Sequence, residues 1–110
     1  MKNLYVEIIP ALRLPKQFIS FDYILPDEFK NNIRAGSIVF VPFSKKTTAG
    51  IVLKIKENTK IKNIKPIKDI INNFVLPEDI IKIIFWMKDN LDISLPLAAK
   101  TVLPDIPKKL

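Results

Sequence analysis

The sequence predicts an α+β domain, a small and strongly curved β-sheet or barrel of four to six strands followed by a C-terminal helical cap. Three observations carry this expectation. Residues 1–75 divide into short apolar, β-branched runs separated by Pro, Gly and polar turns. From residue 76 the apolar spacing changes to a helical period. The chain has 110 residues and 48% hydrophobic content, enough for one core and too little for two. The expected organisation is one domain over 1–104, with a β module at 1–75 and a helical part at 76–104. Residues 105–110, "DIPKKL", read as a linker or tail.

Each element has a local reason. "LYVEII" (4–9) is a branched apolar run stopped by Pro10, which cannot donate to a ladder. "FISFDYIL" (18–25) is the second strand, closed by Pro26 with Asp27 in a turn. Ala35 and Gly36 turn the chain into "SIVFVPF" (37–43). "SKKTT" then links this strand to "AGIVLKIKEN" (49–58) as a hairpin. "IKNIKPIKDII" (61–71) alternates like a strand, with Pro66 marking it as an edge. "LPEDIIKIIFWMKDNL" (76–91) opens with Pro77, Glu78 and Asp79, residues suited to a first helical turn. Ile80, Ile84, Met87 and Leu91 form its apolar stripe, widened by Ile81 and Phe85. "SLPLAAKTVL" (94–103) is a second short helix with Ser94 near its N-cap, ended by Pro104 and Pro107.

Absences narrow the chemistry. The sequence has no Cys and no His, which removes thiolate nucleophiles, disulfides, imidazole bases and the common zinc sites. Its two glycines, Gly36 and Gly50, are too few for a P-loop or a dinucleotide fingerprint. The remaining acids, Lys, Ser and Thr show no catalytic spacing, so the expectation is a non-enzyme that needs no cofactor. No apolar run approaches the roughly 18–20 residues that cross a bilayer. The N-terminal stretch, interrupted by Glu7 and Pro10, does not read as a signal peptide, and the expected location is the cytoplasm.

The charge makes a positive statement. Lys and Arg number 18 against 11 acids, a net charge of +7, which favours a polyanionic partner. Only Arg13 and Arg34 are arginines. Lysine is a point charge suited to phosphate oxygens, whereas reading base edges favours the arginine fork, so a nucleic acid would be held mainly by its backbone. The same lysine excess is also what an AT-rich genome writes into any protein, and on charge alone the two readings stand even.

Candidate sites each have a plainer alternative. Lys54, Lys56, Lys60, Lys62, Lys65 and Lys68 form either a row for a phosphodiester backbone or an ordinary solvated face. Phe40 and Phe43 fall on opposite strand faces, one for the core. Tyr5 fits either role. Trp86 lies in a helix apolar nearly all round and reads as packing. Asp22 is distinct, because alternation puts Phe21 and Tyr23 on one face and this lone carboxylate on the other. An unpaired buried carboxylate is costly, so Asp22 is solvated, paired, or waiting for a ligand.

Taken in order, "FDYILP", "AGSIVFVPF", "GIVLKI", "IKPIKDII", "LPEDIIKIIFWMKDNL" and "SLPLAAKTVLP" resemble the N-terminal DNA-binding domain of the primosomal protein N′ (PriA) family of replication-restart helicases, over residues 4–104. The resemblance implies a module that captures the 3′-OH end of the leading strand at a fork. The terminal-nucleotide pocket it implies consists of Phe21, Asp22, Tyr23, Lys65 and the residue after "VPF". That residue is glycine in the family and Ser44 here. Lys45, Lys46 and Lys62 are the implied phosphate contacts. The implied partners are DNA with a free 3′-OH, forked DNA, a helicase core on the same or another polypeptide, and other primosome or single-strand-binding proteins, with no membrane. The family's motor, ATP and zinc do not carry over to these residues. Two other readings stay open: a small-barrel binder of single-stranded DNA or RNA indifferent to ends, and a protein-interaction module.

Overall fold

A computed structural model describes residues 3–103. Five strands form one antiparallel sheet: β1 (Leu4–Pro10), β2 (Phe21–Leu25), β3 (Ser37–Phe43), β4 (Lys46–Lys56) and β5 (Asp69–Val75). Two helices follow, α1 (Glu78–Leu91) and α2 (Leu95–Val102). The strand order is β2-β1-β4-β3-β5. The arrangement is α+β, as expected, and the sheet remains open rather than closing into a barrel.

Its curvature is nonetheless strong enough to bring the first and fourth strands of that order together. The Tyr23 hydroxyl of β2 donates to the Pro42 carbonyl of β3 at 2.8 Å, and the Phe21 and Phe43 rings meet edge-to-face at 5.1 Å. Residues 65–68 span the remaining gap. Ile24 N–H donates to the Lys65 carbonyl, Ile67 N–H to the Ile24 carbonyl, and Lys68 N–H to the Phe40 carbonyl. The strand expected over 61–71 is therefore displaced. Residues 61–68 form an irregular crossing with one isolated bridge, Ile24 to Pro66, and the true strand starts at Asp69. The alternation in "IKNIKPIKD" resembled a strand, but Pro66 lacks the N–H a continuous ladder needs.

Each face of the sheet carries its own core. On one, Val6, Ile8, Tyr23, Leu25, Val39, Val41 and Val52 pack under Ile33, Ile67 and Ile70. On the other, the cross-strand row Ile9–Ile51–Ile38 packs against Ile84, Leu95, Ala98 and Ala99 of the helices. The Ser94 hydroxyl accepts from Leu97 N–H at 3.0 Å, the expected N-cap. Gly36 joins the two layers at φ +96°. Its N–H bonds to Val52, its carbonyl receives Leu76 N–H, and a Cβ there would lie 2.6 Å from the Leu76 carbonyl oxygen. No L-residue fits that backbone and that space without strain.

Two further expectations change. The linker expected at "SKKTT" is mostly strand. Phe43 pairs with Lys46, so Ser44 and Lys45 alone make the turn, both with positive φ (50° and 68°), as in a type I′ hairpin. The branched Thr47 and Thr48 suit the ladder they enter. Trp86, expected to pack, is 56% exposed, because α1 covers the sheet chiefly through Ile84 and leaves its outer face, Ile83 and Trp86, in solvent. Pro104, Pro107 and the tail at 105–110 lie outside the described residues.

Candidate functional site

The helices cover only part of their face of the sheet. Beyond the apolar row at Ile9, the same face continues as Glu7 on β1, paired across the strands with Asp22 on one side and Lys54 on the other. A β-bulge makes this alignment. Glu7 pairs with Lys54 but Ile8 with Val52, leaving Leu53 as the extra residue of β4. Because directly paired residues share a face, the shift sets Lys54 and Lys56 beside Glu7 and Tyr5. This polar floor runs to the β2 edge, where a cleft of about 420 Å³ opens.

Phe21, Asp22, Tyr23, Ser44 and Lys65, the five residues expected at a terminal-nucleotide pocket, all line this cleft. They arrive from three places: β2, the β3–β4 turn, and the crossing at 61–68. Curvature of the sheet brings the first two together, and the Lys65 carbonyl bond to Ile24 holds the third. The phosphate contacts expected of Lys45, Lys46 and Lys62 fall elsewhere. Lys46 lines an adjoining cleft with Thr47, Thr48 and Lys100 that shares Phe43 and Ser44 as its wall. Lys45 is exposed beside Ser44, and Lys62 is exposed between Ile61 and Asn63, two lining residues.

Alternation holds on β2. Phe21 and Tyr23 turn toward the first core, and Asp22 faces the polar floor. Phe21 sits in an aromatic group with Phe18, stacked at 5.9 Å, and with Phe43. Tyr23 is buried with its hydroxyl donated to Pro42, so it offers the cleft ring surface rather than a polar group. Burial pushes its phenol up to about 12 from 10.0.

Asp22 is largely shielded from solvent and is not alone. Its side chain is 10% exposed, and its Oδ2 accepts from Lys56 Nζ at 2.7 Å and from Thr59 Oγ1 at 2.6 Å. Among the described residues, no side chain donates to Oδ1. Glu7 accepts from the Ser20 hydroxyl and lies 3.9 Å from Lys54. Lys54 and Lys56 are thus engaged with carboxylates and do not form a free lysine row. Sequence reading missed Glu7, Ser20, Phe43 and Lys56 as lining residues, together with the Thr59 bond. Their signal was the cross-strand register, which alternation alone does not supply.

The cleft combines aromatic walls, the largely shielded Asp22 carboxylate with one oxygen open, and Lys65 at its edge. Among the described residues no cluster of acids could hold a metal ion. Residues 10–104 match the family described as 3′DNA-binding domain (3′BD), and the chain belongs to that family, which is a family of binding domains and not of catalytic ones. The chain is 36% identical over 111 residues to the Replication restart protein PriA of Chlamydia trachomatis serovar D, an alignment that covers 94% of this chain and 14% of that protein. It is 36% identical over 104 residues to the Replication restart protein PriA of Rickettsia conorii, covering 93% and 15%. With the Bacillus subtilis protein of the same description it shares 33% over 72 residues, covering 63% and 9%. The chain therefore spans between 9% and 15% of the length of these three relatives.

Proposed function

We propose that the chain is a DNA-binding module of replication restart that holds the 3′-OH end of a strand, such as the leading strand at a fork, in the cleft at Asp22. The observation that carries this reading is the convergence of Phe21, Asp22, Tyr23, Ser44 and Lys65 on one cleft in a chain of the 3′DNA-binding domain family. A terminal sugar brings a free hydroxyl, and a carboxylate is an acceptor-only partner for it. Asp22 Oδ1 is the acceptor with capacity to spare. An interior nucleotide brings a phosphate to the same place, which cannot donate a hydrogen bond to Asp22.

The walls suit a ligand of any base. Apolar and aromatic contacts are sequence-tolerant and contribute about 1–3 kcal/mol per stacked base. Lys65 at the rim holds the preceding phosphate, with Lys45 in the hairpin turn and Lys46 just beyond it. Binding then weakens as salt rises, because each neutralised phosphate releases counterions. In longer proteins such as the PriA relatives, the same cleft would deliver the captured end to the remaining domains, including a helicase core, and to other primosome or single-strand-binding proteins.

Two single-stranded oligonucleotides differing only in a 3′-hydroxyl or a 3′-phosphate test the reading. The hydroxyl end binds more tightly, and Asp22→Ala removes that preference while the salt-dependent binding persists. Equal affinity of the wild-type chain for both ends, and for a circular strand, overturns the reading in favour of an end-indifferent binder. The pairing of Lys54 and Lys56 with carboxylates weighs against that alternative, since it subtracts two cations from the lysine row.

A further inference from the structure

Asp22 presents a difficulty for end selection by charge alone. A lone carboxylate would repel a phosphate strongly in a shielded site. Here the carboxylate already has a counter-charge. Lys56 Nζ lies 2.7 Å from Oδ2, and the two side chains are 26% and 10% exposed, so solvent screens the pair only in part. Lys56 reaches this place because the bulge at Leu53 turns it to the face of Tyr5, its register partner. Glu7, the other acid of the floor, is matched separately by Ser20 and Lys54, which leaves Lys56 to Asp22.

We propose that Lys56 sets how strictly the cleft discriminates among strand ends. This rests on the reading that Asp22 meets the terminal sugar. The ammonium and Thr59 both bind Oδ2, which leaves Oδ1 to accept from a ligand hydroxyl while the pair as a whole stays neutral. A terminal phosphate at Asp22 then meets a neutral pair instead of a bare anion, with an ammonium close enough to attract it. Hydrogen bonding to the terminal hydroxyl does the selecting, and charge repulsion adds little. Lys56 is a positioning and charge-setting residue acting through Asp22, and it makes the cleft tolerant of phosphorylated 3′ ends.

Removing the ammonium exposes the carboxylate's charge. In Lys56→Met, affinity for a 3′-phosphorylated single strand falls further than affinity for its 3′-hydroxyl twin, so the hydroxyl-to-phosphate affinity ratio rises about tenfold over wild type. Lys56→Arg keeps the charge and returns the ratio to the wild-type value, which a purely structural role would not require. Lys56→Gln, a shorter neutral polar side chain, carries the same expectation as Met should Met fail to fold by thermal melting. The measurement is fluorescence anisotropy of the two labelled oligonucleotides with the intact 110-residue chain at one fixed salt concentration. A wild-type preference for the hydroxyl end that Lys56→Met and Lys56→Gln leave unchanged or reduce overturns this inference and leaves the end-capture reading standing. Absence of any end preference in wild type and variants alike overturns both.

Discussion

At the scale of single residues, Tyr23 shows how one side chain can serve fold and site together. Its ring closes the first core and walls the cleft, and its hydroxyl ties β2 to β3 through the Pro42 carbonyl. Tyr23→Phe keeps the ring and removes the tie, at a cost of about 1–2 kcal/mol, because a partly buried carbonyl loses its donor. The phenol also makes stability depend on pH. Its pKa is higher folded (about 12) than unfolded (about 10), so the folded state holds the proton longer. Its contribution is fully present below pH 10 and is lost as pH rises through 12. The stability gap between wild type and Tyr23→Phe should therefore shrink between pH 10 and 12, as read by urea unfolding at stepped pH. A flat gap across that window would contradict the buried, neutral phenol.

Among the elements, the β3–β4 hairpin is where fold and site trade against each other. Ser44 and Lys45 occupy a two-residue turn in the left-handed region, which costs an L-residue about 1–2 kcal/mol relative to its ordinary conformations. Glycine at this position would carry no such cost. Ser44 instead adds a hydroxymethyl group to the cleft wall at a strained backbone position. Replacing it by glycine should stabilise the hairpin by about 1 kcal/mol, part of the relief being offset by glycine's greater freedom when unfolded. For a domain of this size that corresponds to a rise in melting temperature of about 4–8 °C. An unchanged or lower melting temperature would show that the Ser44 side chain compensates its own strain.

In the whole molecule, two cores share one sheet. β1, β3 and β4 contribute to both, with Val6, Ile8, Val39, Val41 and Val52 on one face and Ile9, Ile38 and Ile51 on the other. A loss on the helical side therefore propagates through strands that the cleft depends on. Ile84, fully buried in α1, is the test. Ile84→Ala removes its contacts and leaves a cavity, for a loss of about 2–5 kcal/mol. Unfolding should remain one cooperative transition shifted to lower denaturant, by tryptophan fluorescence and by far-ultraviolet circular dichroism alike. Two separated transitions would mean that helices and sheet unfold independently.

What the sequence by itself determined is local. Period and breakers place β1, β3, α1 and α2 to within two residues, and the motif order from "FDYILP" to "SLPLAAKTVLP" resembles the family, a resemblance that implies five of the residues lining the cleft. The element boundaries are short-range signals, written in spacing and turn chemistry. Tertiary structure decided everything that depends on register and curvature. Asp22 as a residue type is visible in the sequence, but its partners Lys56 and Thr59 lie 34 and 37 positions away. They reach it through a single-residue bulge, and moving a register by one residue turns every side chain of the strand to the other face. The segment 61–68 likewise reads as a strand until the curled sheet offers it a gap to cross rather than an edge to extend. Alternation states which residues can share a face. Only the folded sheet states which faces meet, because pairing and bending are settled between segments far apart in the chain.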